Sequence, residues 1–245
     1  MKPAGNAILV TGGTGGIGLA LAGRFLEAGN EVAVCGRDPG RLRAALAARP
    51  GLRGLACDVA QPGERRRLAE WAVRELPGLN VLVNNAGVQR EADLASGDQP
   101  WERTREEIAV NLEAPIDLSM LLAPRLAART PAAILAVSSG LAFAPMARTP
   151  VYCATKAALH SFCLSLRSQL AGRGVEVVEI IPPAVDTDLG GPGRHRFGVP
   201  VEVFAGAVME GLARGEAEIG YGSSARIMRM ARGELDAVFA GINGH

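Results

Sequence analysis

Tyr152 stands four residues before Lys156 in Tyr152-Cys153-Ala154-Thr155-Lys156, and Ser139 lies thirteen residues upstream of the tyrosine. A tyrosine hydroxyl ordinarily titrates near 10, so it needs help to exchange a proton at neutral pH. An ammonium a few ångströms away favours the phenolate and lowers that value by roughly 1–3 units. At i and i+4 of a helix the two side chains share a face. Ser139, just past an apolar run, can hydrogen-bond a substrate oxygen and fix its orientation. Such a set suits general acid–base work on a carbonyl or alcohol, worth about 10²–10⁴-fold in rate. By itself the spacing is more often a half-buried tyrosine and a solvated lysine.

A second feature changes those odds. Thr11-Gly12-Gly13-Thr14-Gly15-Gly16-Ile17-Gly18 follows the apolar run 7–11 and opens a helical pattern. Gly12 permits a sharp turn, while Gly16 and Gly18 allow close approach of backbone and ligand. The helix start then offers free N–H groups and a positive dipole end to a pyrophosphate. The spacing departs from Gly-x-Gly-x-x-Gly, and alone it could be only a tight loop. Its place between first strand and first helix points to a dinucleotide.

The next strand ends Val34-Cys35-Gly36-Arg37-Asp38-Pro39. Counting from the glycines would choose Asp38 as the ribose ligand. The local pattern instead reads as a helix N-cap followed by proline at the first helical position. Gly36 cannot repel a phosphate, and Arg37 can pair with a 2′-phosphate through charge-assisted hydrogen bonds. NADP(H) is therefore expected in preference to NAD(H).

These residues must be carried by alternating elements. Apolar runs at 7–11, 31–35, 54–57, 81–83, 133–137 and 175–181 read as buried strands, with a seventh at 218–221. Near-continuous apolar character is expected where both faces of a parallel sheet are covered. Helical patterns lie at 16–28, 39–48, 64–76, 101–129, 151–172 and 201–214. The predicted fold is α/β: a Rossmann-like, doubly wound parallel sheet of about seven strands, with residues 1–245 in a single domain. Residues 186–200 are rich in Gly and Pro and read as a lid, with pocket walls drawn from that loop and from 141–149. Phe143, Met146, Arg148, Leu189, His195 and Phe197 lie in these segments. For Arg148, Arg194 and Arg196 a solvated surface position is the simpler reading.

Bulk properties exclude other classes. A net charge of +1 and 4% aromatic residues make no case for nucleic acid. No run of 18 apolar residues suggests a membrane span, and the N-terminus lacks a signal-peptide core, so a cytoplasmic protein is expected. Cys35, Cys57, Cys153 and Cys163 read as reduced and structural; with His160, His195 and His245 they are too scattered for a zinc site, so no metal is expected.

Over nearly its whole length the chain resembles the short-chain dehydrogenase/reductase family. The matching motifs are Thr11-Gly12-x-x-x-Gly16-x-Gly18, Asp58-Val59, Asn84-Asn85-Ala86-Gly87, Asn111, Ser139 and Tyr152-x-x-x-Lys156. The resemblance implies Tyr152 as general acid/base, with Lys156 lowering its pKa and holding the nicotinamide ribose. It implies Ser139 as the carbonyl-positioning group and Asn111 as holder of a water between Lys156 and solvent. Asp58 and Val59 would meet the adenine, and Asn85, Ala86 and Gly87 would line the cleft. Gly12, Thr14, Gly15, Gly16, Ile17 and Gly18 would hold the pyrophosphate; Pro182, Val185 and Thr187 would meet the nicotinamide. Pro183 stands where the family usually has glycine, which stiffens that loop. Read without the family pattern, Asn84 and Asn85 could cap a turn and Asp58 a helix.

The stretches 152–162 and 182–189 are similar to bacterial oxidoreductases found with D-alanyl-lipoteichoic acid genes. The implied function is NADP(H)-dependent interconversion of a ketone or aldehyde with an alcohol. A catalytically idle nucleotide-binding sensor or scaffold and an isomerase or epimerase on the same fold are the alternatives. The family's habit implies a homodimer or homotetramer through helices 101–129 and 151–172, with Ala157, Ala158, Leu159, Phe162, Leu164, Leu166 and Leu170 as the apolar face.

Overall fold

The apolar runs pair as one parallel sheet in the computed structural model, which describes residues 1–97 and 100–244. Its strands are β1 (Ala7–Thr11), β2 (Glu31–Gly36), β3 (Arg53–Ala56), β4 (Leu79–Asn84), β5 (Ala132–Val137), β6 (Val175–Ile181) and β7 (Glu218–Gly220). The order is β3-β2-β1-β4-β5-β6-β7, so the winding reverses between β1 and β4. Ligands in such sheets bind in the crevice at the carboxyl ends beside that reversal.

Two apolar layers explain the unbroken burial of β1 and β5. On one face, Leu9, Leu82 and Ile134 pack beneath α3 (Pro62–Glu75), α5 (Ala114–Ala127) and α6 (Pro150–Leu170). On the other, Ile8, Val10 and Leu135 meet α1 (Gly16–Glu27), α2 (Pro39–Ala48) and α7 (Val201–Ala213). Each fully buried Leu or Ile contributes about 1.5–3 kcal/mol, so the sheet is the rigid part of the molecule.

Several expected boundaries move, for local reasons. Helix 64–76 begins earlier, at Pro62, whose fixed φ suits the first helical turn. Strand 81–83 extends to Leu79 and Asn84, because polar Asn80 and Asn84 find partners in the sheet and on α5. The expected helix 101–129 is two helices, α4 (Trp101–Ile108) and α5, joined by a π-helical turn at Ala109–Glu113. Pro115 accounts for the break: it has no N–H to offer the carbonyl of Asn111, four residues earlier. No element past residue 221 is among those expected from the sequence. The structure has α8 (Ser223–Ile227) and α9 (Arg232–Asn243) there.

Leu159, Leu166 and Leu170, expected on an assembly face, are buried in the protein's own core. The exposed apolar residues of these helices are Trp101, Met120, Leu121 and Leu164. None of the helices is long and apolar enough to cross a membrane among the described residues. All four cysteines are free and buried, and His245 lies outside the described residues.

Candidate active site

A cleft of about 950 Å³ runs along the carboxyl ends of the strands, from the turn after β2 to the start of α6. Thr11 and Asn85 join β1 to β4 beneath it. The Thr11 hydroxyl oxygen accepts from the N–H groups of Asn85 and Ala86, each at 3.0 Å. Asn85 Nδ2 in turn donates to the carbonyls of Thr11 and Gly12, at 2.9 and 3.2 Å. Gly12 has φ of 64°, and a Cβ there would sit 2.8 Å from Ala86 Cα, so a side chain cannot enter.

The residues present fit a dinucleotide. The first turn of α1 carries no acidic residue, and its N-cap Gly15 offers no side chain to occupy the free N–H groups. An anion is the natural partner for that helix end. Gly12, Thr14, Gly15, Gly16, Ile17 and Gly18 all line the cleft, as do Asp58, Val59, Asn85, Ala86, Gly87, Pro182, Val185 and Thr187. Asn84 does not line it; its side chain donates to Ser119 on α5 at 3.1 Å. Asp58 Oδ1 is engaged by the N–H of Ala60, at 3.1 Å.

Asp38 is a helix cap. Its carboxylate accepts from Gly40 and Arg41 N–H at 2.7 and 2.9 Å, and these bonds hold its pKa below the usual range. Gly36 serves packing as well as charge, since a Cβ there would lie 2.6 Å from the Thr14 side chain. Arg37 lines the cleft but pairs with Glu106 of α4 at 2.6 Å, and Glu106 also holds Arg90 at 2.6 Å. Burial favours the protonated Glu106, yet the two guanidiniums win and lower its pKa. Arg41, which the sequence reading passed over, lies directly over Gly15. A signal for it exists in the chain: it sits in the first turn of α2, whose start the Asp38-Pro39 cap marks.

At the other end Tyr152, Lys156, Ser139 and Asn111 are all buried. Ser139, two residues past β5, caps a short 3-10 turn at Gly140–Ala142; its hydroxyl oxygen accepts from Leu141 N–H at 3.1 Å, which leaves its proton to be donated. It also faces the Tyr152 hydroxyl and favours the phenolate there. Lys156 Nζ lies 5.6 Å from the Tyr152 ring centroid and donates to the Val137 carbonyl at 2.8 Å. Asn111, on the π-helical turn, accepts from Val88 N–H at 2.9 Å and donates to the Val88 carbonyl at 2.8 Å. A π turn of this kind is frequent at functional sites.

The expected depression of the Tyr152 pKa by Lys156 is absent from this arrangement. Burial pushes the phenol well above its ordinary value, and Ser139 opposes it. Lys156 suffers the same desolvation, which brings its amine down to about 8. In a dry pocket the uncharged forms of both groups gain. A buried acid, Glu107 of α4, adds to the rise at Tyr152; it accepts from Arg90 N–H at 3.1 Å. Its own pKa is raised by burial.

Met146, Arg148, Leu189, His195 and Phe197 line the outer cleft as expected, whereas Phe143 packs against His160 instead, at 4.7 Å. Arg148 and Arg194 are exposed but not free: both approach Glu91, at 3.8 and 2.5 Å. The loop 186–198 is pinched at its base by a bridge between Val185 and Val199. Ser223, Ser224 and Ile227 of α8 and Ile242 of α9 complete the wall. Leu235, Val238, Phe239 and Ile242, spaced as one helix face, are the sequence signal for α9.

A family model described as short chain dehydrogenase matches residues 6–196, and the chain belongs to the short-chain dehydrogenase/reductase family of oxidoreductases. It is 45% identical over 99% of its length, and 98% of the relative's, to oxidoreductase DltE of Bacillus subtilis. The similarity of the stretches 152–162 and 182–189 to that group thus holds across the chain. A short chain dehydrogenase from Burkholderia cenocepacia, solved in complex with NADP, superposes with a TM-score of 0.85 at 25% identity. That match covers 98% of this chain and 99% of the other. Another from Sphingobium yanoikuyae, solved with NADPH, gives 0.81 at 25% identity over 97% and 94%.

Proposed function

We propose that the protein is an NADP(H)-dependent oxidoreductase interconverting a ketone or aldehyde with the corresponding alcohol. The observation that carries this reading is the burial of Tyr152, Ser139 and Lys156 together in the cleft whose far end is the glycine turn. Family membership and solved relatives bound to NADP or NADPH support the cofactor class. Arg37 and Arg41 support the phosphorylated form.

Bound nicotinamide supplies the hydride in the reductive direction and takes it up in the oxidative one. Tyr152 gives its phenolic proton to the developing alkoxide oxygen. Burial means that the phenol enters the reaction protonated, and Ser139 opposes the rise in its pKa and so eases the release of that proton. Ser139 donates a hydrogen bond to the same oxygen and then stabilises the phenolate. Lys156, as ammonium, stabilises the phenolate once it forms. Asn111 fixes the Val88 backbone beside the cleft. The loop 186–198, tied to Glu91 through Arg194, acts as the lid that excludes water.

The chain acts as one domain in the cytoplasm, on small molecules, and pairs with its copies through the face bearing Met120, Leu121 and Leu164. The test is NADPH oxidation, followed by the loss of reduced-nicotinamide absorbance, with a panel of ketones, aldehydes and diketones, run against NADH. Turnover with at least one carbonyl and a preference for NADPH is expected. NADPH binding with no turnover across the panel would favour an idle binder.

A further inference from the structure

A buried acid outside the reaction scheme lies on the same side of the sheet as Lys156. Glu179 is on β6, opposite Ala136 of β5, and its side chain is fully buried under α6. One carboxylate oxygen meets His160 Nδ1 at 2.7 Å; the other has no hydrogen-bond partner. An unpartnered buried carboxylate oxygen is costly, so its retention calls for an explanation. Tyr152, Lys156 and His160 follow one another at four-residue steps and thus share a face of α6. Lys156 Nζ holds the carbonyl of Val137, the residue after Ala136, so amine, carboxylate and imidazole lie in one layer between α6 and the sheet.

We propose that Glu179, anchored by His160, is a positioning residue for the reaction that acts through Lys156 by holding its buried amine in the ammonium form. This inference rests on the functional reading above. Two titratable groups act on the amine besides burial. They are Cys163 on the same helix and Glu179, both favouring the charged form. Burial pushes the Cys163 thiol up to about 12, so it stays neutral near pH 7 and the carboxylate is the charge that matters. Arg167 and Glu218 bear on Cys163, and Glu107 bears on Tyr152. The groups from β5 and the π turn, the Val137 carbonyl, Ser139 and Asn111, are neutral. His160 also packs against Phe143, four residues past Ser139, so the same anchor braces the Ser139 loop.

The chain has only two lysines, Lys2 and Lys156, which makes a direct test practical. With lysine labelled at Cε with carbon-13, the full-length protein should give two ε-methylene signals, assigned by Lys2→Arg. In wild type the Lys156 signal should titrate near the value of about 8 set by burial. Glu179→Gln should lower that midpoint by about one pH unit. His160→Leu should move it the same way, because without its Nδ1 partner the carboxylate is no longer held against the helix face that carries Lys156. His160→Asn, which keeps a donor near the Nδ1 position, should leave the midpoint near wild type. A merely structural role would make both His160 variants alike.

The alkaline limb of NADPH-dependent turnover should follow the NMR midpoint in each variant. If Glu179→Gln does not fold, His160→Leu carries the test alone. An unmoved Lys156 midpoint in the folded variants overturns the inference. A midpoint that moves in a protein without NADPH-dependent turnover would instead overturn the functional reading.

Discussion

At the Tyr152 end of the cleft the four side chains of the proposed chemistry are buried, and three of them have fixed backbone partners: Ser139 with Leu141, Lys156 with Val137, Asn111 with Val88. At the Arg37 end the charged groups are exposed and hold partners they can exchange, Arg37 with Glu106 and Arg41 over Gly15. Desolvation governs the first region and screening the second. A buried group cannot be altered without changing the charge state of its neighbours. An exposed ion pair is worth only about 0–1 kcal/mol and can be exchanged for a ligand at little cost. Chemistry should therefore be brittle at one end, and cofactor preference adjustable at the other.

The largest effect expected is at the brittle end. Tyr152→Phe removes one oxygen and should cut kcat by about 10²–10⁴-fold. NADPH affinity, followed by cofactor fluorescence, should change by no more than about threefold if the glycine turn and the arginines carry most of the binding. Retained turnover would remove the distinction between the two ends.

Lys156→Met addresses what burial costs. The Lys156 pKa is held at about 8 against an ordinary 10.5, so folding disfavours its charged form. That destabilisation is fully present below pH 8 and is relieved as pH rises toward 10.5. Replacing the amine by an apolar side chain of similar length should stabilise the protein at pH 7 by about 1–3 kcal/mol while activity falls. Denaturant unfolding at pH 7 and 10 checks the sign. The gain must shrink at pH 10.

How far the sequence led differs between the same two regions. Short-range patterns were legible. The glycine turn, the Asp38-Pro39 cap, the strands and the Tyr152–Lys156 helix all rest on residues near one another in the chain. What escaped depends on residues far apart. Arg37 meets Glu106 across 69 positions, and His160 meets Glu179 only because α6 lies over β6. The Tyr152 shift has the opposite sign to the expected one because spacing shows a neighbouring charge but cannot show desolvation. The π turn follows from one missing N–H at Pro115, which an apolar-periodicity reading passes over. α9 escaped for another reason: no motif draws attention to a chain end already past the sheet.

Arginine replacements sharpen the exposed side of the comparison. Arg37→Asp should lower NADPH affinity by about tenfold and shift preference toward NADH, since a carboxylate repels the 2′-phosphate and accepts from ribose hydroxyls. Arg41→Ala should weaken NADPH binding by less, about three- to fivefold, because its guanidinium is solvated. In both variants kcat at saturating cofactor should hold. A drop in kcat equal to that of Tyr152→Phe would mean that the two ends are coupled.

The smallest effect tests whether partner exchange at Arg37 has a cost. In the structure the Arg37 guanidinium, with 58% of its side chain exposed, is held by Glu106 at 2.6 Å. A 2′-phosphate must compete with that carboxylate, and Arg90 competes for it as well. Glu106→Gln keeps a hydrogen-bond acceptor but removes the charge, so it should raise NADPH affinity by about two- to fivefold and leave NADH affinity unchanged. The gain should fade at high salt, where the pair in the parent protein is already screened. If the variant bound NADPH more weakly, Glu106 would be aiming Arg37 at the phosphate and not competing for it, and the exposed end would hold its partners as firmly as the buried end does.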